Sequence, residues 1–165
     1  MIRRAALGEK PALAAMIKAY IQELADLNVL DNPQGFMDRL PPELDLYWTD
    51  PSRTPYLVTH DDQIAGFALI NQVSHSGQPV DAAIAEFYVT PKTRKQGIGR
   101  TAALTAFAAH PGQWEMWVSK ANAPAQAFWK QTTNAPQITD HKTLDDEDGV
   151  IHRFMVHPTA EGTSP

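Results

Sequence analysis

Cysteine is absent from all 165 residues. Disulfides, thiolate zinc centres, iron–sulfur ligation and a cysteine nucleophile are therefore excluded, and a reducing compartment is compatible with the chain. Long apolar runs are lacking too. No 18 apolar residues follow one another, and the least polar stretch, Ala102 to Ala109, is broken by Thr105, so no span through a membrane is expected. Met1-Ile2-Arg3-Arg4 is like the positive start of an export signal, but Gly8-Glu9-Lys10-Pro11 arrives before an apolar region of about 7–15 residues forms. No export is predicted, and the cytoplasm is the expected location. Positive charge is in deficit: 14 Lys and Arg against 19 Asp and Glu leave −5. That balance argues against nucleic-acid binding through the overall field and leaves a local basic patch open.

Metal-ligand spacing is also missing. The histidines His60, His75, His110, His141, His152 and His157 form no H-x-x-x-H pair, so a zinc site is not expected and they read as surface or turn residues. The acidic run Asp145 to Asp148 is not a calcium loop, because aligning Gly149 with the loop glycine puts Leu144 and Met155 at ligand positions. Ser74-His75-Ser76 lacks a nucleophile-elbow context.

What is present describes one domain. With 43% hydrophobic and 20% charged residues, a chain of this length can bury roughly two thirds of its unfolded surface. No internal repeat or Gly/Ser linker divides it. Residues 2–6 suit a short strand. Pro11, Leu13, Met16, Ile17, Tyr20, Ile21, Leu24 and Leu27 recur at helical spacing. A short helix over Gly35 to Leu40 is expected to stop at Pro41-Pro42. Pro55 to Thr59 and Ile64 to Ile70 flank Asp61-Asp62 as a hairpin. Ala83 to Thr90 is a third strand whose run Ile84-Ala85-Glu86-Phe87-Tyr88-Val89 carries one carboxylate in apolar company. A helix over Ala102 to Ala108, a strand over Trp114 to Val118, and a short helix capped by Asn122 with Pro124 in its first turn follow. Strands at Ile138 to Leu144 and Val150 to Val156 close the chain, joined by an acidic turn ending in an Asp-Gly step. This order predicts a mixed α/β sheet with its chemistry near the middle.

Arg94-Lys95-Gln96-Gly97-Ile98-Gly99-Arg100 stands between the Glu86 strand and an Ala-rich helix. Two glycines at a helix mouth admit a ligand to the backbone, and the first N–H groups of the helix suit an anion. Lys92, Arg94, Lys95 and Arg100 add four cations within nine residues, which favours a polyphosphate; a solvated basic turn is the plain alternative. Gly97, Gly99 and Ala102 formally fit the dinucleotide pattern G-x-G-x-x-A, but Pro91 to Gln96 separate them from the strand, and no early strand–turn–helix unit precedes them. Arg100-Thr101 after Gly99 excludes a Walker loop.

Val89, four residues, then Arg94-x-x-Gly97-x-Gly99 resembles the acetyl-coenzyme A signature Q/R-x-x-G-x-G/A of the GNAT family of N-acetyltransferases. Asn122-Ala123-Pro124-Ala125-Gln126-Ala127-Phe128-Trp129 is similar to that family's N-x-x-A-x-x-F-Y. The order of elements is like the family's over roughly residues 1–157, with 158–165 expected as a flexible tail. The resemblance implies a central, mostly antiparallel mixed sheet flanked by helices. It also implies acetyl-coenzyme A as cosubstrate, no metal, and an amine acceptor on a small molecule or a protein, with no nucleic-acid or membrane partner; a homodimer is left open. It implies a cofactor cradle of backbone amides at Arg94, Lys95, Gln96, Gly97, Ile98, Gly99 and Arg100. Phe87 and Val89 would run beside the pantetheine arm, with a main-chain N–H near Val89 polarising the thioester. Asn122, Phe128 and Trp129 would flank the thiol end.

Acetyl transfer needs a neutral amine, so a base must remove a proton from a group with a pKa of about 10.4. Glu86 is the candidate, its pKa raised by an apolar strand toward neutrality, and several family members carry a glutamate on that strand. A solvent-facing or ion-paired Glu86 is the alternative. Many family members place a tyrosine after the motif's phenylalanine to protonate the leaving sulfur. Here the position holds Trp129, whose indole donates a hydrogen bond but is no acid near neutral pH. Three readings stay open: the thiolate leaves unprotonated, Tyr88 serves as acid, or the chain binds the coenzyme without efficient transfer. Tyr88 equally suits core packing. In the family the acceptor site is shaped by first helices and loops, here Tyr20, Glu23, Asp26, Asp31, Phe36, Tyr47 and the His75 loop. Small amine, amino acid, antibiotic, and protein lysine or N-terminus all remain open.

Overall fold

A computed structural model of the chain describes residues 1–158. Its elements run β1 (Ile2–Arg4), α1 (Lys10–Asp26), α2 (Pro33–Thr49), β2 (Thr54–His60), β3 (Gln63–Asn71), β4 (Ala82–Val89), α3 (Ile98–Ala109), β5 (Gly112–Ser119), α4 (Ala123–Thr132), β6 (Ile138–Asp145) and β7 (Gly149–Val156). The strands form one seven-stranded sheet in the order β1-β2-β3-β4-β5-β7-β6. Every neighbouring pair is antiparallel except β4 and β5. This is the expected mixed, mostly antiparallel sheet flanked by helices. No helix of the described residues is long and apolar enough to cross a membrane. The tail expected at 158–165 lies, beyond Pro158, outside the described residues.

Two cores sit on opposite faces of the sheet. Leu13, Ile17 and Ile21 of α1 and Leu40, Leu44 and Tyr47 of α2 pack on one face with Leu57, Phe67, Leu69 and Tyr88. Ala103 and Phe107 of α3 and Trp129 of α4 pack on the other with Trp114, Met116 and Phe154. The helix expected to end at Pro41-Pro42 instead runs through both prolines to Thr49. Each of the two interior prolines costs about 3 kcal/mol. Continuing the helix buries Leu44 and Tyr47, about 1.5–3 kcal/mol each, and lets the Trp48 indole N–H reach the Ala5 carbonyl at 3.1 Å. Both prolines stay on the exposed side.

The hairpin turn forms as expected, with Asp61 and Asp62 at φ 47° and 58°, the left-handed pair that matches strand twist. At the last hairpin the glycine has a different reason. Gly149 does not take the left-handed conformation; any side chain there would run into the Trp117 indole. Not every histidine lies at the surface: His152 is buried and stacks on His141, with ring centroids 5.2 Å apart.

One buried charge went unread in the sequence. Glu115 on β5 is fully buried and accepts from Arg153 Nη1 on β7 at 2.5 Å, the amides of His75 and Ser76 at 2.8 and 3.1 Å, and the Ser76 hydroxyl. Burial opposes its ionisation, but these donors outweigh it and hold the carboxyl below its usual range. This carboxylate seats the β3–β4 connection against the sheet.

Candidate active site

Strands β4 and β5 pair through only three positions, Ala82↔Trp114, Ala83↔Glu115 and Ile84↔Met116. Beyond them they part. On its other side β4 carries a bulge, since Leu69 pairs with Glu86 and Ile70 with Ile84, leaving Ala85 as the extra residue. A bulge redirects the side chains that follow it. Glu86 and Tyr88 therefore face α1, while Phe87 packs toward α4 and Val89 toward α3. The gap between the strands is bordered by groups from both faces.

Glu86 is half-buried, and its Oε2 accepts from the Tyr20 hydroxyl at 2.7 Å. Burial pushes the carboxyl up to about 7, Tyr20 opposes the rise, and Glu43 adds to it. Tyr88 is buried against Tyr20 and Phe67, with the Arg94 guanidinium 5.4 Å over its ring. Burial first, then Glu23, raises its phenol and keeps it protonated.

After β4 the chain turns through Lys95 at φ 63° and Gly97 at φ 78°, and Gly97 caps α3. A Cβ at Gly97 would meet open space, so its glycine answers to conformation. Gly99 is different: a Cβ there would come within 3.3 Å of the Phe128 ring and 3.4 Å of Val89 Cγ2. Its lack of a side chain lets α3 close on α4 and β4. The first amides of α3 have no partner within the helix, and the turn before it, Lys95 to Gly97, is exposed. Among the described residues Lys92, Lys95 and Arg100 make no ion pair. An exposed run of amides with three uncommitted cations fits a diphosphate.

Arg94 is turned elsewhere. Its Nη1 and Nη2 donate to Glu23 of α1 at 2.7 and 2.8 Å, and its Nε to the Val89 carbonyl at 2.8 Å. The Gln96 amide folds back onto the Lys92 carbonyl at 3.2 Å.

On the α3/α4 side, Phe87 stacks on Phe128 at 5.6 Å and meets Trp129 edge-on at 5.1 Å. Trp129 is buried and also faces Phe107. Asn122 Oδ1 accepts from the Ala125 amide at 3.1 Å, capping α4 as expected. Sequence reading missed Gln126, whose side-chain amide donates to the Val118 and Ser119 carbonyls, both at 3.0 Å. It steadies the end of β5 beside the gap. The position gave no signal, because glutamine on a helix ordinarily faces water.

The model of the Acetyltransferase (GNAT) family matches residues 21–133, which span the gap, the glycine turn and α4. No curated protein matches the chain. Among solved structures, a PaiA N-acetyltransferase from Thermoplasma acidophilum in complex with coenzyme A is 14% identical with a TM-score of 0.69, over 95% of this chain and 98% of that one. An acetyltransferase from Thermus thermophilus is 17% identical with a TM-score of 0.66, over 96% of each chain. A ribosomal-protein-alanine N-acetyltransferase from Brucella melitensis is 16% identical with a TM-score of 0.63, over 95% of this chain and 99% of that one. At such identities the likeness is one of fold. The glycine turn, the parted strands and the match across 21–133 agree, and the chain belongs to the GNAT family of acetyltransferases.

Proposed function

We propose that this protein transfers an acetyl group from acetyl-coenzyme A to a primary amine by direct attack in a ternary complex. The observation that carries this reading is the placement of Glu86 beside the parting of β4 and β5, on the sheet face opposite Phe87. The coenzyme fits the turn: the amides from Lys95 to Arg100 hold the diphosphate, with Lys92, Lys95 and Arg100 around them. Phe87 and Val89 line the pantetheine arm, and Asn122, Phe128 and Trp129 border its far end. A main-chain N–H near Val89 polarises the thioester carbonyl.

Glu86 is the base. A carboxyl titrating near neutrality can accept the proton of an alkylammonium in a step worth about 10²–10⁴ in rate. The sulfur leaves as a thiolate, whose conjugate acid has a pKa of about 8.5, or takes a proton from Tyr88, two residues along the same strand. Trp129 in the usual tyrosine position favours one second reading, a coenzyme-binding module without turnover.

Free-thiol release from acetyl-coenzyme A, measured against polyamines, amino acids, aminoglycosides and peptides with free N-termini, tests the proposal. Release with a primary amine is the expected result. Binding of acetyl-coenzyme A with no release in any arm favours the module, and a thermal shift with NAD instead of acetyl-coenzyme A would reject both.

A further inference from the structure

Tyr20 and Glu23 are three residues apart on α1, so they project from one side of the helix. That side faces β4. Tyr20 donates to Glu86 Oε2, and Glu23 receives the fork of Arg94. One helix therefore holds both the carboxyl of the proposed base and the first side chain of the glycine signature. The Tyr20 ring is itself fixed by an edge contact with Phe67 at 5.7 Å and a tilted contact with Tyr88 at 5.5 Å.

The two oxygens of Glu86 are not equivalent. Oε2 is occupied by the Tyr20 hydroxyl. Oε1 accepts no hydrogen bond from a described residue, yet His152 Nε2 is the one fully buried side-chain nitrogen or oxygen without a partner among the described residues. Oε1 is therefore not fully sealed from solvent.

We propose that Tyr20 is the positioning residue of the reaction, its hydroxyl pinning Oε2 of Glu86 so that Oε1 is the atom presented to the acceptor amine. This rests on Glu86 acting as the base. In the step, one N–H bond of the ammonium breaks, its electron pair stays on nitrogen for attack, and the proton forms an O–H bond on Oε1. Tyr20 keeps its own proton throughout. Burial, then the charges of Glu86 and Glu23, hold its phenol well above the ordinary range, so it remains a donor. Glu23 of α1, Glu43 and Tyr47 of α2, and Tyr88 of β4 are the other titratable groups around this pair. Of the influences on Glu86, burial first and Glu43 last disfavour the carboxylate, and Tyr20 favours it.

The test is a carboxyl ¹³C NMR titration of the full chain labelled at glutamate, with Glu86→Gln assigning the resonance. Tyr20→Phe keeps the ring and its contacts, and circular dichroism checks its fold. The expected midpoint is about 7 in the wild type and about one unit higher in Tyr20→Phe. The Tyr20 ¹³Cζ shift in the unsubstituted chain should follow the same titration. With an amine that turns over, Tyr20→Phe should lose about tenfold in kcat on the acid limb, converge with the wild type at high pH, and leave the KM for acetyl-coenzyme A unchanged. Equal midpoints with Glu86→Gln inactive would remove Tyr20 alone. Wild-type turnover in Glu86→Gln would remove the base, and the positioning role with it, even where the NMR shift is found.

Discussion

Arg94 and Glu23 lie 71 residues apart in sequence and meet through two parallel N–H···O bonds of 2.7 and 2.8 Å. The first residue of the glycine signature is thus anchored to α1, and the turn that follows is presented by its backbone.

If anchoring is what the Arg94 side chain does, Glu23→Gln and Arg94→Gln should raise the KM for acetyl-coenzyme A by similar factors, and the double variant should do no worse than either. The stability cost should be small, about 0.2–1 kcal/mol, because both partners reach solvent. Steady-state kinetics and urea unfolding measure the two quantities. A far larger effect of Arg94→Gln alone would mean that the guanidinium touches the coenzyme directly.

Gly99→Glu should abolish acetyl-coenzyme A binding in calorimetry, since its side chain would be driven toward Phe128 and Val89 and its charge would repel a diphosphate. Gly97→Ala meets no atom but must hold a left-handed φ of 78°, a strain of about 1–2 kcal/mol. It should lower the melting temperature while retaining measurable binding.

Glu86→Gln should lower turnover about 10²–10⁴-fold and erase a kcat limb centred near pH 7. Stability should respond in the opposite sense. A carboxyl whose folded value is raised contributes stability below its unfolded value of about 4.3, and that contribution is lost as pH rises through the folded value. The variant should therefore gain in melting temperature over the wild type above pH 7 and not below about pH 4. An equal effect at both ends would show that the carboxyl does not carry its charge in a desolvated place.

Arg153→Met leaves Glu115 buried without its partner and should cost about 3–5 kcal/mol in urea unfolding. Replacing both, Glu115→Leu with Arg153→Met, should cost less than that single change. Because the folded Glu115 titrates below its usual range, its contribution is present above about pH 4.3 and is lost as the solution is acidified through the folded value. An acid transition unchanged in Glu115→Leu would contradict this.

The elements written in short stretches were legible from residues. Helical spacing marked α1, the Asp61-Asp62 pair marked its hairpin, Asn122 marked the start of α4, and the two glycines marked the mouth of α3. Each of these depends on conformations set within about one turn of chain. The family motifs were legible for the same reason. The Pro41-Pro42 stop failed because a local penalty met the burial of Leu44 and Tyr47, and no window of sequence contains what they pack on.

By itself, then, the amino-acid order determined the kind and order of the strands and helices, that the turn before α3 needs glycine, and that one carboxylate stands in an apolar strand. Tertiary structure alone decided that Glu86 faces Tyr20, that Arg94 is held by Glu23, and that Glu115 is buried with Arg153. The physical reason is that a side chain's partner, solvation and charge depend on residues 66, 71 and 38 positions away, brought close by the packing of the sheet.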